Sequence, residues 1–373
     1  MAWKLSEQAD LDALLVGVGI FGTGGGGDPK GWGRSIFDAD REAGRAYELI
    51  DPNEVADDAF VLSGGYLGSV AEDVALNRLV DSWQTNFELE RAIRVLEAEH
   101  GRKADYLVPF ELGGGNTPVV MSCSTRLGIP MIDGDGVGRA APETHMCSFL
   151  GHGISLTPMP LVGADGTELI VRNGDIFLAD AVGRCVASRH GGLLANAHYG
   201  MSGAELKRSV VGRSVTRALD LGHFVLGCDE EGEAGLDAVC QMLDAYPLIH
   251  ARVAGLNPRE SAGFYVVDVR LEGVGRDAGR AVDLVIMNEV MCAKEDGNPL
   301  CVFPDLLLLL DPGTLEGVMT PELKPNVEII VAALPCHETV RAGLKSEDGA
   351  RAFSAERYGE QFAYVPVEEL LQV

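Results

Sequence analysis

The chain has 373 residues, of which 46% are hydrophobic and 23% charged, so it holds enough apolar material for two cores. Asp and Glu total 56 against 30 Lys and Arg, a formal charge of −26. Such a surface repels nucleic acid and anionic lipid, so neither is an expected partner.

Eight cysteines fall at 123, 147, 185, 228, 240, 292, 301 and 336, with no C-x-x-C pair among them. Most sit in apolar runs and read as reduced, buried small hydrophobes. The N-terminus lacks a basic and apolar signal pattern, and no apolar run approaches the ~20 residues of a membrane helix. A cytoplasmic protein is expected, and a homo-oligomer.

In chain order, Ser6 or Asp10 can cap a first helix with Leu11, Leu14, Leu15 and Val18 on its apolar face. It must end by the run Gly22-Thr-Gly-Gly-Gly-Gly-Asp-Pro29, whose glycines let a ligand approach the main chain closely. Gly17 to Gly22 formally matches G-x-G-x-x-G. A dinucleotide fingerprint follows a strand and opens a helix, whereas this segment lies within a helical pattern. Neither nicotinamide nor flavin is therefore an expected cofactor.

Residues 59–63 read as a strand running into Gly64-Gly-Tyr-Leu-Gly68, followed by the acidic Glu72 and Asp73. Residues 87–100 form an amphipathic helix that Gly101 stops. The apolar, aromatic 105–110 is a buried strand, and 119–127 is a helix with Asn116 or Thr117 as cap and Pro118 at its first position. Residues 129–133 then return as a parallel strand, completing a βαβ unit. A further helix is expected over 142–149, with Pro142 near its first turn.

The character changes near residue 165. Residues 168–172, Asn173-Gly174 and 175–179 read as a hairpin, because Asn-Gly suits a type I′ turn. Helices follow over 204–221 and 231–245, then strands over 264–271, 281–291, 300–310 and 327–334. The expected fold is α/β plus β-rich. A parallel-sheet α/β domain spans 1–165, and a mostly antiparallel β domain with a helical insertion spans 166–373.

Ligands of open α/β sheets bind outside the carboxyl ends of the strands. At that rim the sequence puts Glu111, then Gly113, Gly114, Gly115, Asn116 and Thr117, then Asp133, Asp135, Arg139 and Glu143, with Asp28 from the first glycine run. The glycine N–H groups near a helix start could bind a carboxylate, phosphate or polarised carbonyl oxygen. Clustered carboxylates could act as general acid and base or hold a divalent metal. Arg139 could grip an anionic group. Each residue also has a plain structural use: turn residues for Asp and Gly, a salt bridge for Arg139, a helix-dipole partner for Glu143. His145 and His152 lie seven apart, not the i, i+4 of adjacent metal ligands, and His190 and His198 flank Gly191-Gly192 in the second half. There is no G-x-S-x-G elbow and no P-loop lysine.

Three of these segments, Gly22-Thr-Gly-Gly-Gly-Gly-Asp-Pro29, Glu111-Leu-Gly-Gly-Gly-Asn116 and Asp133-Gly-Asp-Gly-Val-Gly-Arg-Ala-Ala-Pro-Glu143, together resemble the S-methyl thiohydantoin desulfurase family. Met201-Ser-Gly-Ala204, where similar proteins often have Thr in place of Ser202, and Pro304-Asp-Leu-Leu307 add to the resemblance. It implies an N-terminal α/β domain before a β-rich one, and cyclic amide or thioamide substrates of the hydantoin or S-methyl thiohydantoin kind. The resulting expectation is a hydrolase acting on a C–N or C–S bond. Catalytic roles fall to Glu111, Asp133 and Asp135, with Asp28 and Glu143 behind them. The alternative is a small-metabolite-binding or regulatory protein that uses the same loops without turnover.

Overall fold

A computed structural model of the chain describes residues 3–68, 80, 83, 86–189, 192–261 and 264–372. Glu72, Asp73 and His190 lie outside the described residues. No helix among the described residues is long and apolar enough to cross a membrane.

The first sheet has eight strands in the order β1-β2-β5-β4-β3-β9-β7-β8. In chain order they are β1 (Trp3–Leu5), β2 (Tyr47–Ile50), β3 (Phe60–Gly68), β4 (Tyr106–Pro109), β5 (Met131–Ile132), β7 (Met159–Val162), β8 (Glu168–Val171) and β9 (Leu193–Ser202). Strands β2, β5, β4 and β3 run parallel, and the rest pair antiparallel at either side. Strand β6 (Gly134–Asp135) forms a separate short ladder with β10 (Val211–Gly212). The first sheet thus takes in strands on both sides of residue 165.

Helix α1 (Gln8–Phe21) contains the whole Gly17 to Phe21 segment, so a dinucleotide fingerprint has no structural context there. Its glycines serve packing. A Cβ at Gly17 would stand 1.7 Å from Ala218 O, on helix α8 (Ser214–Leu226), and one at Gly222 would stand 1.7 Å from Ala13 O. The two helices cross backbone to backbone. Between them in sequence lie α2 (Arg34–Glu42), α3 (Glu88–His100), α4 (Asn116–Leu127), α5 (Ser148–Gly151), α6 (Leu178–Ala187) and α7 (Gly203–Ser209). Leu89, Ile93 and Leu96 of α3 are fully buried, each contributing about 1.5–3 kcal/mol. Gly101 ends that helix in the left-handed region at φ +64.

Several expectations need correction. The hairpin is β7–β8, with its turn at 163–167, where Gly166 has φ +88 and Asp165 accepts from Thr167 N. Asn173-Gly174 leads instead into α6. Helix α4 starts at Asn116 with Gly115 as its cap, so Pro118 sits within the first turn, where its missing N–H is harmless. Residues 142–147 are turns, and only the single-turn α5 follows. The helical stretch over 204–221 is two helices, α7 and α8, separated by β10. Strand β3 runs on through Gly64 and Gly65. A Cβ at Gly64 would stand 2.7 Å from Asn196 O of β9, which explains glycine inside a strand.

The second sheet is antiparallel throughout, in the order β15-β14-β13-β12-β11-β17-β16. Its strands are β11 (Tyr246–Ser261), β12 (Phe264–Gly273), β13 (Ala281–Met287), β14 (Glu289–Glu295), β15 (Asn298–Val302), β16 (Leu306–Leu310) and β17 (Glu328–Leu334). The run 281–291 is not one strand. The chain reverses at Asn288, φ +58, so that Met287 pairs with Glu289. The run 300–310 divides as well. Phe303, Pro304 and Asp305 alone connect β15 and β16, the strands at opposite edges, so the sheet must curl until its edges meet. Helix α9 (Gly232–Leu243) precedes it, and short helices α10 (Glu338–Gly343), α11 (Glu347–Ala352) and α12 (Val367–Leu370) close the chain.

Candidate active site

The two glycine runs are interleaved. Gly26 and Gly27 take φ +71 and +90, which only glycine adopts without strain. A Cβ at Gly26 would stand 2.8 Å from Gly113 Cα, and one at Gly115 would stand 2.2 Å from Trp32 Cε3. Gly26 O accepts from the N–H groups of Gly115 (2.9 Å) and Asn116 (3.2 Å), and Gly113 N–H donates to Thr117 Oγ1 at 3.1 Å. The Gly115 and Asn116 N–H groups therefore hold the two loops together, and the Gly113 N–H is used within its own turn, instead of facing a ligand. Gly113, Gly114, Gly115 and Thr117 do not line the cavity described next.

Where this double loop meets the second sheet lies a cavity of about 340 Å³. From the first glycine run come Gly26, Gly27 and Asp28. Trp32, Tyr66 and Phe110 supply aromatic walls, with the rings of Trp32 and Tyr66 edge to face at 5.5 Å. The β13–β14 reversal supplies Asn288 and Glu289. Asp28 accepts from the N–H groups of Lys30 (2.9 Å) and Gly31 (3.0 Å), so it caps the turn at the cavity wall.

Glu111 is buried at this wall and firmly oriented. Its Oε2 accepts from Ala141 N–H at 2.6 Å and its Oε1 from Asn116 Nδ2 at 2.7 Å. Asn116 Nδ2 also donates to Tyr66 O (3.1 Å), and Oδ1 accepts from Tyr66 N–H (2.8 Å). Asn116 thereby fixes Glu111 to β3. Glu289 approaches from the other half: its Oε1 accepts from Gly26 N–H at 2.9 Å, while Oε2 has no hydrogen-bond partner among the described residues. Burial pushes the pKa of both carboxyls well above the usual range. The Glu289 charge adds to the rise at Glu111, and the Arg139 guanidinium partly offsets the rise at Glu289. Two carboxyls with raised pKa values at one cavity have the character that general acid–base chemistry near neutral pH calls for.

The other expected residues stand elsewhere. Asp133 caps α8, with Oδ1 accepting from Thr216 N–H at 2.9 Å and Oδ2 from its hydroxyl. Asp135 is fully buried in the β6–β10 ladder, where Oδ1 accepts from Val137 and Gly138 N–H, both at 2.6 Å. Burial pushes it up to about 7, against the pull of the Ser214 hydroxyl and these N–H groups. Neither Asp lines the cavity.

Arg139 is also fully buried and does not line the cavity. It donates to Ala140 O (2.9 Å), Asp305 O (2.9 Å), Val290 O (2.7 Å) and Thr23 Oγ1 (2.8 Å), and its guanidinium lies 4.9 Å from the Phe303 ring centroid. It clamps the two halves of the molecule together. Glu143 pairs with Arg357 (Nε–Oε2 2.9 Å) and with His145 (3.3 Å). Burial alone would raise its pKa, but these two partners outweigh it and hold Glu143 at about 2. His152 bonds Thr339 O at 3.0 Å, a different partner from that of His145. His198, packed edge-on against Phe110 and Tyr199, is pushed down to about 3 by burial. Among the described residues no group of three or more His, Cys, Asp or Glu is arranged to hold a metal ion.

Sequence reasoning missed Glu289, Asn288 and the aromatic wall. One signal was there: Asn288-Glu289 interrupts an otherwise apolar run.

Fold and site together define a two-part α/β and antiparallel-β protein with a carboxyl-bearing cavity at the junction. The chain belongs to the S-Me-THD-like family: the N-terminal domain of that family matches residues 9–173 and the C-terminal domain residues 174–367. No curated protein is similar enough to match it. The crystal structure of a protein from Chromobacterium violaceum has the same fold, with a TM-score of 0.74 at 23% identity over 98% of this chain and 100% of that one.

Proposed function

We propose that this protein is a hydrolase-type enzyme acting on a small cyclic amide or thioamide of the hydantoin or S-methyl thiohydantoin kind, bound in the junction cavity. The family supports the substrate class. The observation that carries the reading is the meeting of Glu111 and Glu289, from different halves of the chain, at one cavity with raised pKa values.

In the proposed reaction a water molecule attacks the ring carbon that carries the S-methyl group. Glu111, held by Asn116 and Ala141, takes one water proton as the carbon–oxygen bond forms and passes it to the ring nitrogen. Glu289 enters protonated on Oε2, because Oε1 is engaged as an acceptor by Gly26. It gives that proton to the departing methanethiolate as the carbon–sulfur bond breaks, then regains one from the new hydroxyl as the carbonyl forms. The thioether and water thus become a hydantoin and methanethiol, with no oxidant or reductant.

The test is methanethiol release from an S-methyl thiohydantoin by purified protein, alongside calorimetric binding. Turnover that falls in both Glu111→Gln and Glu289→Gln supports the reading. Tight binding without any turnover contradicts it and favours a metabolite-binding protein.

A further inference from the structure

The charge around the cavity bears on which ring enters it. Among the described residues four carboxyl residues line it, Asp28, Glu111, Glu289 and Glu322, against the basic Lys30 and Arg184. Both basic groups are already matched. Lys30 Nζ pairs with Glu316 at 2.8 Å and also feels the charges of Glu322 and Asp28. Arg184 pairs with Asp180 at 2.7 Å, donates to Gly68 O at 3.1 Å and to Pro142 O, and stacks on the Phe264 ring at 3.8 Å. Arg139, the remaining candidate for an anion grip, is buried elsewhere among backbone carbonyls. The apolar lining beyond the aromatic wall includes Leu67, Leu193, Met319 and Pro321. The last two lie on the loop that follows β16, whose Thr320 N–H donates to Gly24 O at 2.9 Å.

We infer that the cavity selects a ring bearing an uncharged, apolar substituent, seated against Leu67, Leu193, Met319 and Pro321, and turns away a ring bearing a carboxylate. This rests on the cavity being the substrate site proposed above. A carboxylate entering it would lose hydration while meeting carboxylates, with no unmatched cation among the described lining residues. The −26 charge of the whole chain opposes its approach as well.

The experiment compares two probes that differ only at the ring substituent, a benzyl and a carboxymethyl S-methyl thiohydantoin, by kcat/KM for methanethiol release and by calorimetric Kd. The expected preference for the benzyl ring is about 100-fold, the scale of a like-charge juxtaposition. Pro321→Lys, at an exposed position, and Met319→Lys should each narrow it by about tenfold by adding a local countercharge. Equal or reversed preference in the native protein, with turnover intact, overturns the inference and leaves the enzyme reading standing. A benzyl preference in binding without turnover supports the inference and removes the hydrolase reading. Failure to bind either ring overturns both.

Discussion

The backbone N–H of Gly26 donates to Glu289 Oε1 at 2.9 Å across 263 residues of sequence. One bond therefore joins the glycine loop of the first half to the reversal between β13 and β14, and it orients the carboxyl that faces the cavity. A Cβ at Gly25 would stand 2.0 Å from the same Oε1, so a side chain there would displace the Glu289 carboxyl.

Gly115→Ala is expected to unfold at markedly lower temperature. Its Cβ would meet Trp32 at 2.2 Å and Gly27 Cα at 3.2 Å, and overpacking of this kind costs about 1–3 kcal/mol. Thermal denaturation checks it. An unchanged midpoint would mean that the loops do not interleave closely.

Arg139→Met is expected to cost about 3 kcal/mol or more, because Asp305 O, Val290 O and Thr23 Oγ1 lose a buried donor together. Arg139→Lys should recover little of this, since an ammonium lacks the planar fork. Urea denaturation measures both. Full stability with a raised KM for a carboxylated ring would instead return Arg139 to substrate binding.

The acid side of the stability curve should depend on Glu143. Its folded pKa of about 2 lies below the ordinary value of 4.5, so the folded state binds its proton less readily than the unfolded chain does. The contribution, about 3 kcal/mol, is present above pH 4.5 and is lost as pH falls toward 2. Glu143→Gln should flatten that fall. Stability that still drops with the native slope in the variant would place the dependence elsewhere.

Asp135 has the opposite sign. Its folded pKa of about 7 exceeds the ordinary 3.8, so the folded state holds the proton more tightly and loses stability as pH rises from about 4 to 7. Asp135→Asn, which keeps an acceptor for Val137 and Gly138, should be relatively more stable at pH 8 than at pH 4 when each is compared with the native chain. Chemical denaturation at the two pH values checks the sign.

Much of the first half was legible in the sequence because its signals are local. The helix ending at Gly101 and the parallel strands around α4 follow from periodicity and glycine stops. The density of glycine at 22–27 and 113–115 marked the two loops, though their reason is contact with each other more than contact with a ligand. Glu289 was not legible. Asn288-Glu289 shows locally only as a polar break in an apolar run, and nothing local says which loop of the other half Glu289 will touch. Arg139 misled for a related reason. A guanidinium beside two aspartates reads as a site, while its actual partners, Val290 O and Asp305 O, lie far along the chain.

The most direct test of the central claim is the pH dependence of kcat/KM for methanethiol release, in the native protein and in Glu289→Gln. If Glu111 acts as the base and protonated Glu289 as the acid, the native profile has an acid limb and a basic limb, both raised by burial above the ordinary carboxylate range, and Glu289→Gln loses the basic limb with a residual rate about 100-fold lower. An acid limb near pH 4 in the native protein, or a basic limb that persists in Glu289→Gln, would contradict the account.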